Sequence, residues 1–370
     1  MNPLSALYGT LARARRARYA RHPHLRRRLR HPVISIGNLV VGGSGKTPVV
    51  AAVARMLKDA GERPAILSRG YARRVRSREP LVVSDESRVL ADVQHSGDEP
   101  QMLARALPGV PVIVGGDRYA SGRVAEDQLH ATVVLLDDGF QHLPLARDVD
   151  LLLMSPADLA ESTLPSGRLR EPLSAAREAH ALVVRGSDDD ARHVSVAVGV
   201  PIVFRLDVMY DRPRFITSSG QALGETAGRR VVAVAGVARP ERFFAALRAQ
   251  GWDVARQWAF RDHYWFTATD VQRITATMHD IGADMVITTE KDAVRIAPLL
   301  AQAGLASPEP GGRAETVRRP GDAEPTPLGD DLRARWVFLP MRVSIEPDAA
   351  FRSWLAARLA AARAAAEQHA

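Results

Sequence analysis

The sequence contains no cysteine among its 370 residues, which excludes disulfide bonds, thiolate metal sites and cysteine nucleophiles. It also has no uninterrupted run of about 18 apolar residues, the length that a membrane-spanning helix requires. Aromatic residues make up only 5% of the chain, so side chains that could stack on nucleic-acid bases are scarce. The apolar content of 46% and the charged content of 25% are typical of a globular protein, and the length allows two domains.

Lysine is also rare, because the chain has only Lys46, Lys58 and Lys291 and its other basic residues are arginine. One of the three lies in the glycine-rich segment GGSGKT, residues 42–47. A compact ammonium group at this position, in a chain that otherwise uses arginine, indicates a site for phosphate.

The residues around this lysine predict a phosphate-binding loop. Residues 33–36 form a short apolar run typical of a buried strand, and an apolar helical stripe follows Thr47. Glycines allow the backbone N–H groups to point inward, and the helix N-terminus adds partial positive charge. The strict P-loop spacing would place glycine at position 40, where the chain has valine, so a glycine-rich turn without a ligand is the alternative. The predicted nucleotide-binding residues are Val40, Val41, Gly42, Gly43, Ser44, Gly45, Lys46 and Thr47.

The formal charge of +8 is unevenly distributed, since residues 1–30 contain nine arginines and no acidic residue. The apolar residues 1–12 precede these arginines, which is the reverse of the order in a secretory signal. We interpret residues 1–30 as a basic amphipathic segment that lies on an anionic membrane surface. The alternatives are a solvated or nucleic-acid-binding arm, with Leu4, Leu7 and Leu11 packed on the core.

Apolar strand patterns alternate with helical patterns, which predicts an α/β fold of the P-loop NTPase type. Its sheet should be mostly parallel, with helices on both faces. The predicted strands after the first are residues 65–68, 110–115, 132–136, 151–154, 181–184 and 202–206. Residues 31–206 form this domain, the turn-rich residues 207–230 a hairpin linker, and residues 231–370 a smaller C-terminal α/β domain. Residues 306–334 are rich in proline, glycine and charge and predict a disordered insertion.

Two acidic motifs offer groups for catalysis. LLDDGFQH, residues 135–142, places Asp137 and Asp138 at the end of an apolar strand, where P-loop enzymes hold Mg²⁺. An Asp-Asp-Gly turn is the alternative, and the pattern does not distinguish between the two carboxylates. SGDEP, residues 96–100, presents Asp98 and Glu99 either as helix caps or as a base for a hydroxyl acceptor.

Three further motifs carry basic or titratable groups. RDHYWFT, residues 261–267, places His263 in a polar turn, and PSGRLREP, residues 165–172, displays Arg168 and Arg170 in a loop suited to phosphate. A structural histidine and solvated arginines are the alternatives. In TTEKDAVR, residues 288–295, Lys291 directly precedes Asp292, so the lysine-x-aspartate signature of guanine-specific GTPases is absent.

Together these motifs resemble the tetraacyldisaccharide 4′-kinase family, the lipid A 4′-kinases of Gram-negative bacteria. The matching segments occur in the family's order and are GNLVVGGSGKTP (37–48), ILSRGYARR (66–74), SGDEP (96–100), LLDDGFQH (135–142), PSGRLREP (165–172), FRDHY (260–264) and TTEKDAVR (288–295). The resemblance implies transfer of the γ-phosphate of ATP, with Mg²⁺, to the 4′-hydroxyl of a tetraacylated glucosamine disaccharide 1-phosphate. It also implies a peripheral or monotopic location at the cytoplasmic face of the inner membrane.

The resemblance implies a role for individual residues as well. Asp98 would be the base that deprotonates the 4′-hydroxyl, paired with His263 of the smaller domain, so that domain closure assembles the site. Lys46 and Thr47 would hold the phosphates and Mg²⁺, with Asp138 or Asp137 completing the metal site. The residues implied to contact the substrate or its phosphates are Arg170, Glu99 and Gln141.

The alternative function is a P-loop switch or assembly ATPase at the membrane surface, which would consume ATP without any lipid. A nucleic-acid-binding role for the arginine-rich arm has little support, because its only aromatic residues are Tyr8 and Tyr19. We therefore expect the lipid disaccharide and the anionic inner-membrane surface as partners, with neither nucleic acid nor an obligate protein partner.

Overall fold

The computed structural model describes residues 2–43, 45–75, 77–216, 222–224, 228–305 and 335–368. It divides into two compact units. Unit 1 comprises Met1–Met209 and Arg342–Ala370, and unit 2 comprises Tyr210–Met341. The predicted insertion at residues 306–334 lies outside the described residues.

Unit 1 is built on a nine-stranded sheet. Its strands are β1 (Val33–Asn38), β2 (Pro64–Ser68), β3 (Leu81–Ser84), β4 (Val112–Val114), β5 (Val133–Asp137), β6 (Val149–Met154), β7 (Ala181–Arg185), β8 (Val203–Tyr210) and β14 (Met341–Glu346), numbered in chain order through both units. They lie in the order β14-β8-β7-β6-β1-β5-β2-β4-β3. From β8 to β4 neighbouring strands are parallel, and β3 pairs antiparallel with β4. The predicted strands after the first correspond to β2, β4, β5, β6, β7 and β8, so the mostly parallel α/β fold is confirmed.

The helices of unit 1 cover this sheet. They are α1 (Pro3–Arg21), α2 (Lys46–Asp59), α3 (Val93–Ser96), α4 (Asp98–Ala106), α5 (Arg118–Asp127), α6 (Asp188–Val198) and α10 (Asp348–Glu367), with 3₁₀ turns at Pro23–Leu25, Pro156–Ala160 and Leu173–Glu178. In α2, Val49, Val50 and Val53 are fully buried and belong to the main core cluster. This apolar stripe fixes the helix against the sheet, and the N-terminus of α2 therefore lies next to the end of β1.

The C-terminal segment belongs to unit 1, so the predicted smaller domain at residues 231–370 was too long at its C-terminus. Strand β14 lies next to β8 at the edge of the nine-stranded sheet. Phe351, Leu355 and Leu359 of α10 are buried in the same core cluster as α2, and the Phe351 ring lies 5.0 Å from that of Phe204. Burial of this apolar face holds the segment to unit 1.

Unit 2 is a second α/β unit with a five-stranded sheet. Its strands are β9 (Arg214–Phe215), β10 (Arg230–Ala235), β11 (Asp253–Ala259), β12 (Met285–Thr289) and β13 (Trp336–Leu339), in the order β11-β10-β12-β13-β9. Its helices are α7 (Pro240–Ala249), α8 (Ala268–Asp280) and α9 (Glu290–Leu305). Only β9 is antiparallel to its neighbour. Part of the predicted linker is therefore strand, because β8 extends to Tyr210 and β9 belongs to this sheet.

Helix α1 exposes a row of leucines. The exposed fractions of Leu4, Leu7 and Leu11 are 61%, 57% and 62%, so these side chains are not packed on the core. The arginines follow the leucines along the helix instead of lying on the opposite face. Among the described residues, no helix combines the length and hydropathy needed to cross a bilayer.

Candidate active site

The phosphate loop connects β1 to α2. Gly45 has a φ of 83°, a left-handed conformation that favours glycine, and α2 begins at Lys46 directly after it. The Lys46 Nζ lies 2.9 Å from Asn38 Oδ1 and 3.5 Å from Asp138 Oδ1. The glycine turn between β1 and α2 therefore places the Lys46 side chain over the end of β1. Ser44 lies outside the described residues.

The valines at the start of the loop are held by the segment 168–170. Val40 is buried and pairs with Leu169 in an antiparallel bridge. The Val41 N–H donates to the Arg168 carbonyl at 2.8 Å, and the Arg168 guanidinium donates to the Val41 carbonyl at 2.8 Å. The valine at the position where a strict P-loop has glycine thus packs in the core. Because the Val41 N–H already has an acceptor, it is not available to a phosphate.

Two neighbouring aspartates at the end of β5 have opposite electrostatic environments. Burial, followed by the charges of Glu99 and Asp138, raises the pKa of Asp137 from 3.8 to about 7. Burial would also raise the pKa of Asp138, but the charges of Lys46 and Arg170 outweigh it and lower that pKa below its ordinary value. Asp138 has a φ of 58°, the left-handed region that Asp tolerates better than most residues. Asp138 is therefore a carboxylate already paired with cations, whereas burial disfavours the ionised form of Asp137.

Arg170 links the aspartates to the glutamine of the same motif. Its guanidinium donates to Asp138 Oδ2 at 2.6 Å and to Gln141 Oε1 at 3.4 Å. The Gln141 amide in turn donates to the Asn38 carbonyl at 2.9 Å. The structure thus brings together Lys46, Asp138, Arg170 and Gln141 from three motifs that are distant in sequence.

The GDEP motif begins α4. Gly97 precedes the helix with a φ of 87°, and a Cβ there would lie 2.8 Å from the Tyr71 carbonyl, so this position requires glycine. The Asp98 side chain is only 3% exposed and accepts a hydrogen bond from the Glu99 N–H at 2.9 Å. The charge of Glu99 contributes to the raised pKa of Asp137, so this motif and the aspartates share one electrostatic environment.

In unit 2, His263 contacts the third lysine of the chain. The Lys291 Nζ lies 3.2 Å from both Asp262 Oδ1 and His263 Nε2. Because an ammonium group can only donate, this contact requires His263 to accept at Nε2 and to carry its proton on Nδ1. His263 itself has a φ of 58°. The segment TTEKDAVR, which lacks the guanine-binding signature, therefore supplies the lysine that contacts His263 and favours the tautomer with the proton on Nδ1.

A buried ion pair supports the turn that carries His263. Asp292 accepts hydrogen bonds from the Gly236 N–H at 2.9 Å and the Thr289 hydroxyl at 2.6 Å. Arg295 donates to Asp292 Oδ1 at 3.0 Å and to the Tyr264 carbonyl at 2.6 Å. The second half of TTEKDAVR therefore has a structural role, which is to fix the backbone next to His263.

Asp137 and the start of α2 carry groups that fit a hard cation such as Mg²⁺. Among the described residues, Asp137 Oδ1 is buried without a hydrogen-bond partner, and Thr47, a buried residue at the start of α2, carries a hydroxyl. Within the described ranges, no cluster of three or more histidine, aspartate or glutamate side chains has the arrangement of a metal site. Proteins usually bind Mg²⁺ through one or two carboxylates together with substrate phosphates.

Comparisons with known proteins agree with this geometry. Residues 1–309 match the model of the family described as tetraacyldisaccharide-1-P 4′-kinase, LpxK. The chain belongs to this family. It is 41% identical over 304 residues to the tetraacyldisaccharide 4′-kinase of Geobacter metallireducens, and the aligned region covers 82% of this chain and 89% of that protein. The corresponding enzyme of Pelobacter propionicus is 38% identical over 333 residues, 90% of each chain.

A solved structure of an LpxK has the same fold as this chain. The crystal structure of LpxK from Aquifex aeolicus in complex with ATP matches with a TM-score of 0.73 and 29% sequence identity, covering 96% of this chain and 98% of that chain. The predicted family, kinase activity and α/β fold are thereby confirmed, and ATP is the nucleotide in that relative.

Sequence reasoning missed several residues of the site. Asn38 was part of the quoted motif, but nothing in the pattern showed that its side chain would hold Lys46. Glu171 follows Arg170 and is buried, and the motif gave no reason to assign it a role. The contact between Asp262 and Lys291 joins residues that are 29 positions apart, so no local pattern in the sequence indicates it.

Proposed function

We propose that this chain transfers the γ-phosphate of ATP to the 4′-hydroxyl of a tetraacylated glucosamine disaccharide 1-phosphate, giving lipid IVA. The family description names both the acylated disaccharide 1-phosphate and the 4′-kinase activity. The observation that carries the proposal is the convergence of Lys46, Asp138 and Arg170 within 3.5 Å contacts beside the glycine loop. Phosphoryl transfer depends mainly on positioning and charge neutralisation, which such a cluster supplies.

The nucleotide phosphates are assigned to residues 42–47. The cradle begins at Gly42 because the Val41 N–H is engaged by Arg168. Lys46 would exchange part of its contact with Asn38 and Asp138 for phosphate oxygens. The buried Asn38 Nδ2 has no hydrogen-bond partner in the part of the chain that the structure describes, and we assign it as an additional donor to a phosphate.

For the metal we favour Asp137 and the Thr47 hydroxyl. Both oxygens of Asp138 already lie next to cations, with Oδ2 2.6 Å from Arg170 and Oδ1 3.5 Å from Lys46, whereas the buried Asp137 Oδ1 has no hydrogen-bond partner among the described residues. A bound Mg²⁺ would supply positive charge for the triphosphate oxygens and would favour the ionised form of Asp137. Asp138 would instead hold Lys46 and Arg170 in place for the transferring phosphate.

Asp98 is our candidate for the general base. One of its oxygens, Oδ1, is fixed by the Glu99 N–H, so its orientation is set by the start of α4. In the proposed step the acceptor hydroxyl gives its proton to Asp98 while its oxygen forms the new bond to phosphorus. The bond from phosphorus to the bridging oxygen of ADP breaks, and Arg170, which donates to Gln141 Oε1 at 3.4 Å, stabilises the charge of the transferring group. Gln141 and Glu99 are assigned to contacts with the substrate.

We assign His263 to the same proton-transfer step as Asp98. We assign it the tautomer with the proton on Nδ1, in which Nε2 accepts from Lys291 at 3.2 Å. In that form it can donate one hydrogen bond while Nε2 remains occupied. A double-mutant experiment on Asp98 and His263, described below, tests this assignment without any assumption about the distance between them.

Helix α1 is proposed to hold the enzyme on the cytoplasmic face of the inner membrane. Leu4, Leu7 and Leu11 lie three or four residues apart and are more than half exposed, which suits insertion among acyl chains. The arginines after them would bind anionic lipid headgroups. The triple change of these leucines to serine should reduce recovery with anionic vesicles, whereas Val196→Ser, at a residue of α6 that is even more exposed, should not.

The proposal is tested by incubating the protein with ATP, Mg²⁺ and the disaccharide 1-phosphate in detergent micelles and then analysing the lipid by mass spectrometry. The expected product carries one additional phosphate, located on the 4′ position by fragmentation. Lys46→Ala should abolish the product, while Lys58→Ala is the control, because Lys58 lies on the same helix and contacts only the Pro108 carbonyl among its described hydrogen bonds. ATP consumption without any lipid product would contradict the proposal and favour a switch ATPase.

A further inference from the structure

One arginine of the basic N-terminal segment differs from all the others. Of the nine arginines in residues 2–30, all of which the structure describes, Arg16 alone is buried, with 4% of its surface exposed. A membrane-binding role requires arginines at the surface, so it does not account for this residue. The position of Arg16 in α1 requires a different explanation.

Arg16 is satisfied by groups next to the proposed active site. Its guanidinium donates to both carboxylate oxygens of Glu171, at 3.3 Å and 2.5 Å, and to Glu178 at 2.8 Å. It also donates to the Phe140 carbonyl at 3.3 Å and lies 4.5 Å from the centre of the Phe140 ring. These contacts use the planar fork of arginine, which lysine cannot reproduce.

Both main partners of Arg16 adjoin residues assigned to phosphoryl transfer. Glu171 directly follows Arg170, and Phe140 lies between Asp138 and Gln141. The Gln141 amide is 3.4 Å from Glu171 Oε2, so the two segments are also joined to each other. The preceding arginine of α1 adds a further contact, since Arg15 donates to the Gln141 carbonyl at 3.1 Å.

We propose that Arg16 is a positioning residue for the kinase reaction. It fixes the segments 138–141 and 170–171 relative to each other, so that Arg170 and Asp138 meet at the transferring phosphate. Helix α1 is then part of the framework of the active site as well as a membrane anchor. This inference rests on the proposed function, because it acts through the roles given there to Arg170 and Asp138.

The test is Arg16→Lys, with Arg192→Lys as the matched control. Arg192 is an exposed arginine of α6 with no role assigned in ATP, lipid or membrane binding, and both changes keep the positive charge. Turnover is measured with the disaccharide 1-phosphate in detergent micelles, where attachment to a bilayer is not required. Arg16→Lys should lower kcat by about tenfold to a hundredfold, with the KM for ATP within about twofold of wild type. Arg192→Lys should behave like wild type.

Two further measurements separate positioning from a loss of folded protein. The stoichiometry of ATP binding gives the fraction of competent enzyme, and it should remain near that of wild type in Arg16→Lys. The effects of Arg16→Lys and Arg170→Lys on kcat should be less than additive, since the first acts through the second.

Three outcomes would overturn the inference while the wild type remains active: an unchanged kcat in Arg16→Lys, full additivity with Arg170→Lys, or a kcat loss explained entirely by a lower fraction of competent enzyme. The absence of lipid phosphorylation by the wild type in the same assay would instead contradict the proposed function. The two failures are therefore distinguishable.

Discussion

The close packing of the DDGF turn against β1 makes Gly37 a sensitive position. A Cβ added at Gly37 would lie 2.5 Å from Phe140 Cβ, 2.9 Å from the Phe140 N and 3.3 Å from its Cα. Favourable carbon contacts begin at about 3.5 Å, so the substitution Gly37→Ala places its methyl group about 1 Å too close. Since two of the three obstructing atoms belong to the backbone, the turn itself must move.

The expected cost follows from this geometry. Overpacking of a well-packed core lowers the free energy of unfolding by about 1–3 kcal/mol. A displacement of the turn by about 1 Å also displaces Asp137 and Asp138, and such a misplacement can lower kcat by about a hundredfold. Gly37→Ala should therefore lose far more activity than its loss of folded protein can explain, because the protein remains mostly folded at 25 °C.

The control for this experiment is Gly116→Ala. A Cβ at Gly116 meets nothing within 4 Å, so this variant carries the same added methyl without the obstruction. Thermal unfolding and steady-state lipid phosphorylation should be measured for both variants and the wild type. If Gly37→Ala matches Gly116→Ala in both measurements, the turn is not rigidly held by β1 and the reasoning fails.

Three other predictions concern single groups of the site. Burial, more than the charges of Arg118 and Arg147, lowers the pKa of His142 from 6.5 to about 4. Between these two pH values the unfolded chain binds more protons than the folded protein, so the free energy of unfolding falls as the pH drops from 6.5 to about 4. His142→Gln should reduce this fall by up to ~3 kcal/mol in urea unfolding series, and an unchanged pH profile would show that the histidine is not buried. Lys46→Ala should weaken ATP binding in calorimetry, whereas equal affinities for this variant and the wild type would remove Lys46 from the phosphate site. Asp98→Ala and His263→Ala should each lower kcat, with less than additive effects in the double variant; additive losses would assign them to separate steps.

The sequence alone predicted the elements whose signals are local. The apolar run before GGSGKT and the helical stripe after it predicted β1 and α2, because strand and helix periodicity can be recognised within a few residues. The parallel sheet followed from the alternation of such patterns. The motif residues Lys46, Asp138 and Arg170 were also predicted as site residues, since their chemistry is suited to phosphate.

What could not be predicted depends on contacts between distant segments. The pairing of β14 with β8 joins residues on either side of unit 2, and nothing local in residues 341–346 indicates which sheet they join. The proposed division of roles between Asp137 and Asp138 depends on Arg170, which is 32 positions from Asp138. Arg16 looked like one more membrane-facing arginine, because only the fold shows that its carboxylate partner is 155 residues distant.

The central claim is that the loop at Lys46 delivers a phosphate from ATP to a sugar hydroxyl. The most direct measurement counts ADP formed against phosphate gained by the lipid, using ATP labelled in the γ-phosphate and the disaccharide 1-phosphate as acceptor. We expect one labelled phosphate in the lipid for each ADP, little ADP without the lipid, and neither product from Lys46→Ala. ADP formation that proceeds equally well without the lipid, or lipid labelling that survives in Lys46→Ala, would contradict the claim.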